Sequence, residues 1–140
     1  MHACDIATDL ALSTAIRARA KYIACVPCCH KELLDQYTLP GLEPLTKFGV
    51  FKARFNDVLT DSMRALKLEA EGYKVSVVEY ISPLDTPKNL LIRAVRTGQD
   101  NLRARQEYNA VRRVLGTTSE LDRRCAELEN EFFVTDEALL

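Results

Sequence analysis

The stretch between residues 51 and 96 constrains the fold most. Phe51, Phe55, Val58, Leu59, Met63, Leu66 and Ala70 recur at i, i+4, i+7, i+8, i+12, i+15 and i+19. That is one stripe of a 3.6-residue period, and it predicts a long amphipathic helix from about Phe51 to Glu71. Gly72 stands where a left-handed C-terminal cap belongs. A strand over Tyr73–Ile81 follows, then the turn-rich Ser82-Pro83-Leu84-Asp85-Thr86-Pro87-Lys88, then a strand over Asn89–Arg96. The two strands are close enough in sequence to pair as an antiparallel hairpin. With a further apolar run upstream, this pattern predicts an α/β sheet.

The upstream run is Tyr22-Ile23-Ala24-Cys25-Val26, as apolar as a parallel strand covered on both faces. Pro27 has no amide hydrogen for a sheet ladder, so the strand ends there. Cys28, Cys29 and His30 then stand at its carboxyl end, where ligands bind in open α/β sheets. Lys31-Glu32-Leu33-Leu34 reads as the next helix start. Before the strand, a helix from about Ile6 to Arg19 is expected, capped by Asp5 or Thr8 and packed on more than one side. Pro40, Gly41, Pro44 and Gly49 make residues 38–50 a loop with at most one helical turn. Beyond Thr97-Gly98, Ala104, Tyr108, Val111 and Leu115 form one helical stripe, and Leu121, Cys125, Leu128 and Phe132 another. Gly116-Thr117-Thr118-Ser119 separates them. The division is therefore a domain over 1–96 and a helical tail over 97–140.

The formal charge of −1 leaves no basic stripe for gripping a phosphate backbone. No apolar run approaches the roughly 18 residues of a membrane span, and the first five residues have no signal-peptide pattern. Five cysteines, three of them within 25–29, read as reduced thiols of a cytoplasmic protein rather than a disulfide framework.

Zinc on Cys25, Cys28, Cys29 and His30, with Cys4 and His2, meets two objections. Tetrahedral zinc draws ligands at defined spacing from two loops, whereas Cys25 is fixed in a strand and adjacent Cys28 and Cys29 rarely face one ion. No metal is therefore expected. Cys25-x-x-Cys28 has redox spacing, but a reactive first cysteine sits at a helix N-terminus. A substrate pocket is the remaining functional reading, with Pro27, Cys28 and Cys29 at its mouth and His30 as proton acceptor. The structural alternative is thiols packing as small hydrophobes and a histidine capping the next helix. Glu79 and Arg93, interrupting apolar strands, are expected to be ion-paired. Asp61 and Arg64 read as a solvated or helix-packing pair. Lys88 and Asn89 enter the last strand where an anionic substrate can be touched.

Five blocks occur in order: His-Ala-Cys-Asp-Ile-Ala-Thr-Asp at 2–9, Val-Pro-Cys-Cys-His-Lys-Glu at 26–32, Leu-Thr-Asp-Ser-Met-Arg-Ala-Leu at 59–66, Glu-Gly-Tyr-Lys-Val at 71–75 and Thr-Pro-Lys-Asn-Leu-Leu-Ile-Arg-Ala at 86–94. Together they resemble the carboxyl-terminal half of a family of class I S-adenosylmethionine-dependent methyltransferases. A more distant similarity is to tRNA 2′-O-methyltransferases with a His-x-Cys-Gly-x-Ala-Thr-Asp run and a Cys-Cys-His. The resemblance implies a Rossmann-like sheet of spatial order 3-2-1-4-5-7-6. Met1–Asp5 would then be a remnant of strand four, 21–26 strand five, 73–81 strand six and 89–96 the antiparallel strand seven. It also implies S-adenosylmethionine as methyl donor, and His2 and Asp5 flanking the donor or the acceptor.

The chain departs from that family in having no Gly-x-Gly, its five glycines being isolated. Close backbone approach to the donor needs such a turn. The chain therefore reads as the truncated, substrate-side half of a methyltransferase, unable to bind the donor alone. Direct displacement at the methyl carbon, aided by alignment, is the implied mechanism. The bare edge of strand 21–26 is a template for pairing, so a homo-oligomer or a separate cofactor-binding half is the expected partner; the acceptor is not specified. The alternative from a different class is a non-catalytic interaction module working through that edge or the tail.

Overall fold

The computed structural model describes residues 3–82, 84–86 and 88–127. Helix α1 spans Ala3–Arg17, strand β1 Tyr22–Cys25, helix α2 Gly49–Ala70, strand β2 Tyr73–Glu79, strand β3 Leu90–Arg96 and helix α3 Leu102–Leu115. A final helix, α4, runs over residues 120–127, and a single 3-10 turn at Glu43–Thr46 breaks the loop before α2. The chain is α/β. Gly72 (φ +86°) and Gly116 (φ +68°) end α2 and α3 in the left-handed conformation, the first as its position predicts. Leu128 and Phe132 of the expected tail stripe lie outside the described residues, as do Met1 and His2.

The sheet has the order β1-β3-β2, and β3 is antiparallel to both neighbours. The 73–96 hairpin is thus present. One sheet face builds the core. Ile23 pairs with Ala94 and Cys25 with Ile92 on one side of β3, and Val75 with Ala94 on the other. Leu12 of α1, Leu68 of α2, and Leu121 and Cys125 of α4 close over that face together with Tyr73. Met63, Ala70, Tyr108 and Leu115 form a second buried cluster, where α2 meets α3.

Several expectations change. The helix start expected at Lys31-Glu32-Leu33-Leu34 is only a turn, over residues 32–36. Residues 3–5 form the first turn of α1, so no strand remnant exists there among the described residues. An alanine-rich run with an aspartate in its first turn favours helix by propensity and by the helix dipole. Among the described residues the sheet is covered on one face only: Tyr22, Ala24, Ser76 and Arg93 are exposed on the other. Arg93 therefore reaches solvent by the two-residue alternation of an antiparallel strand, and needs no buried partner there.

The largest correction concerns α2. Its apolar stripe is not its buried stripe in the first half: Phe51 is 52% exposed, Phe55 40% and Val58 63%. Asn56, Thr60, Arg64 and Leu68, at successive i+4 steps, face inward with Asp61. Only toward its C-terminus, at Met63, Leu68 and Ala70, does the helix bury apolar side chains.

Candidate functional site

The inward polar face of α2 meets the first turns of α1 and the loop after β1. Residues 26–31 form no regular element and turn over at 32–36. Asp5 holds that loop in place: its Oδ2 accepts the amides of Lys31 (2.6 Å) and Glu32 (2.8 Å). It caps the loop rather than its own helix. The carbonyl of His30 accepts from Asn56 Nδ2 at 2.7 Å, which pins the same loop to α2.

With the backbone fixed at 30–32, the side chains of 28–30 divide. Cys28 and Cys29 turn toward α1. The sulfurs of Cys29 and Cys4 lie 2.6 Å apart, and those of Cys28 and Cys29 3.8 Å. None of the five cysteines is in a disulfide. The Cys29 contact and its neighbours lower the Cys4 thiol, and contact with Cys4 plus burial pushes Cys29 up to about 12. Burial pushes the Cys25 thiol up, and it lies apart from that trio.

His30 turns the other way, into α2. Its Nε2 is 2.8 Å from Asp61 Oδ1, and its Nδ1 is 3.0 Å from Lys88 Nζ and 3.3 Å from Asp57 Oδ1. Lys88 and Asp57 are themselves paired. Pro27, His30, Asp57, Asp61 and Lys88 line a cavity of about 90 Å³ closed by Val58 and Leu90. Three of the sequence-selected residues, Pro27, His30 and Lys88, therefore share one cavity. Asn89 is buried and donates from Nδ2 to the Ile81 carbonyl at 2.8 Å, which closes the base of the loop between β2 and β3. His2 lies outside the described residues.

Beneath the cavity sits Arg64, 2% exposed and not a solvated residue. Its Nε donates to Asp9 Oδ1 (2.8 Å), its Nη2 to Asp5 Oδ1 (2.6 Å) and the Asp5 carbonyl (3.1 Å), and its Nη1 to Asp61 Oδ1 (3.3 Å). Asp9 Oδ2 also accepts the Leu121 amide at the start of α4 (3.2 Å), a favourable place for a carboxylate. Burial pushes the Asp5 carboxyl up, but the Glu32 and Lys31 amides and Arg64 outweigh it and hold the group below its ordinary range. For Asp9 burial wins over Arg64, and its carboxyl is raised. Burial alone would lower Arg64, but Asp9 and Asp5 together raise it.

Chemically, this is a histidine whose two nitrogens connect a buried carboxylate to a cation and a carboxylate at a cavity mouth. Such a path holds or passes a proton between Asp61 and that mouth. Sequence reasoning missed Asn56, Asp57 and the central part played by Asp61 and Arg64. The available signal was the i, i+4 pair Asp5 and Asp9, which puts two carboxylates on one face of α1, opposite a helix carrying a single inward arginine.

Comparison with known proteins adds two findings. Residues 1–36 match a family described as a methyltransferase domain, which supports such a domain over α1, β1 and the loop carrying Cys28, Cys29 and His30. The chain is also similar to proteins named glutathione S-transferase C-terminal domain-containing protein from Homo sapiens, Macaca fascicularis and Mus musculus. Each is 28% identical over 117 residues, a match covering 66% of this chain and 18% of the relative. The chain thus spans less than a fifth of the length of these relatives. No solved structure matches.

Proposed function

We propose that this chain is the acceptor-side portion of an S-adenosylmethionine-dependent methyltransferase domain, with the donor held by strands outside it. The observation that carries the reading is the family match at residues 1–36, because it falls on two of the segments that build the site, the first turns of α1 and the loop after β1. The strand order supports it: segments 22–25, 90–96 and 73–79 lie side by side with the middle one reversed, as strands five, seven and six would. Among the described residues the glycines between a strand's end and a helix start, Gly41 after β1 and Gly98 after β3, are isolated and stand in open space, with nothing within 4 Å of where a Cβ would lie. Gly49 opens α2 after a 3-10 turn, and Gly41, Gly72, Gly98 and Gly116 sit in turns or caps. These residues do not fit S-adenosylmethionine.

On this reading His30 accepts the proton of the methylated atom and passes it toward Asp61. Pro27 and Lys88 border the acceptor, Cys28 and Cys29 stand at the same strand end, and Asp5 and Asn89 hold the two loops that carry them. The chain is cytoplasmic on this reading, and among the described residues no helix is long and apolar enough to cross a membrane. Isothermal calorimetry tests the division: no heat is expected from S-adenosylmethionine with this chain. Methyl transfer is expected only when a glycine-rich strand–turn–helix segment precedes it, and is lost in His30→Ala. Tight binding of the donor by the chain alone overturns the reading.

A second reading, an interaction module, is favoured by the exposed apolar surface. Phe48, Val50, Phe51, Phe55 and Val58 lie on the outer side of α2. Beside the open edge of β1, Ala7, Thr8, Ala11, Tyr22 and Ala24 line a groove of about 500 Å³. Homo-oligomerisation, or pairing with a cofactor-binding half, through this edge would show as a concentration-dependent mass in light scattering. A monomer at all concentrations counts against it.

A further inference from the structure

Among the described residues, Cys4, Cys28 and Cys29 are a group of three potential metal ligands whose ligand atoms are all mutually close. All three sulfurs lie within 4.8 Å of one another. They come from two separate segments, the first turn of α1 and the loop after β1, which answers the requirement that adjacent cysteines alone do not meet. The two segments are locked together before any ion arrives, because Asp5, next to Cys4, accepts the amides of Lys31 and Glu32 just beyond Cys29. A site whose ligands are already held by outer hydrogen bonds needs little reordering on binding.

We propose that Cys4, Cys28 and Cys29 form a thiolate site for a zinc-class metal ion. Thiolates select soft and borderline ions such as zinc over magnesium or calcium. A tetrahedral zinc with sulfurs at about 2.3 Å sets them roughly 3.8 Å apart. Cys28 and Cys29 already stand at 3.8 Å. Cys4 and Cys29, at 2.6 Å, open by about 1.2 Å to reach that spacing, a movement within side-chain torsions. Binding forms three metal–sulfur bonds and releases three thiol protons to solvent. These residues supply three of four donors, and Cys28 is the exposed one. A disulfide between Cys4 and Cys29 is the competing arrangement, and it would leave Cys28 without a part. The proposal is independent of methyl transfer.

The test uses the full chain purified under reducing conditions without chelator, with elemental analysis and then titration of the metal-free protein with cobalt(II). One zinc per chain is expected, together with the thiolate-to-cobalt absorption band. Cys4→Ser, Cys28→Ser and Cys29→Ser should each weaken cobalt binding at least tenfold. Cys25→Ala, which removes a thiol outside the trio, should leave it intact. Far-UV circular dichroism confirms that each variant remains folded, and Cys28→Ser, the exposed position, is the decisive one. Substoichiometric metal, unchanged binding in folded Cys28→Ser, or a Cys4–Cys29 disulfide by peptide mass in protein that takes up no metal overturns the proposal.

Discussion

Replacing Arg64 by methionine tests the architecture of the site most directly. The guanidinium makes four hydrogen bonds, joining α2 to α1 through Asp5 and Asp9 and also binding Asp61 on its own helix. Its side chain is 3% exposed, and those of Asp5 and Asp9 are 2% and 3%. Methionine fills much of the volume but leaves the carboxylates without their cation. Breaking a buried ion pair by removing one partner costs about 3–5 kcal/mol. Here each carboxylate keeps a second partner: two amides for Asp5, the Leu121 amide for Asp9, and His30 for Asp61. The expected loss is therefore at the lower end, about 3 kcal/mol, out of a total of about 5–15 kcal/mol for a domain. In urea unfolding followed by circular dichroism, that is a fall in midpoint of roughly 1–3 M at unchanged slope. Arg64→Lys keeps the charge but not the planar fork, and should fall between wild type and methionine. A loss below about 1 kcal/mol for Arg64→Met, or a lysine variant less stable than the methionine one, refutes the claim that this network organises the fold.

Asp5 and Asp9 should respond to pH with opposite signs. The folded-state value of Asp5 is depressed, so its contribution is present above the ordinary 3.8 and is lost as pH falls through the lower folded value. The value of Asp9 is raised, so its ionised form detracts from stability above 3.8 and protonation relieves that. Asp5→Asn should thus cost more than Asp9→Asn at pH 7, with the gap closing below 3.8; chemical denaturation at both pH values that shows equal losses contradicts the assignment. Gly72→Ala combines a φ of +86° with a Cβ placed 2.8 Å from the Gln99 carbonyl oxygen, and a loss of at least about 1–2 kcal/mol is expected in the same assay. Tyr108 is buried against Asp122, and burial first, then that carboxylate, drives its phenol well above the ordinary 10.0. Tyr108→Phe should leave the absorbance rise at 295 nm unchanged up to about pH 11; a lost increment means the phenol is not held there.

Several parts of the fold were legible without coordinates because they depend on neighbours in the chain. The left-handed cap at Gly72, the 73–96 hairpin and the break between α3 and α4 follow from local backbone preference. The faces of α2 were not legible in this way. Apolar periodicity identified a helix but not which side is buried, since Arg64 draws an inward stripe of polar residues that hydrophobicity reads as solvent-facing. The start of α1 was misread for a related reason: residues 3–5 are too few to show a period.

By itself, the order of residues indicated most of the elements, their sequence along the chain and the loop that carries Cys28, Cys29 and His30. Only the tertiary structure decided that Cys29 turns to Cys4, 25 residues away, and His30 to Asp61, 31 away, and that Arg64 gathers Asp5 from 59 residues away. The physical reason is range. Torsional preference and hydrophobic period act over a few residues, whereas burying a charge demands whichever opposite charges the packed elements bring within about 3 Å.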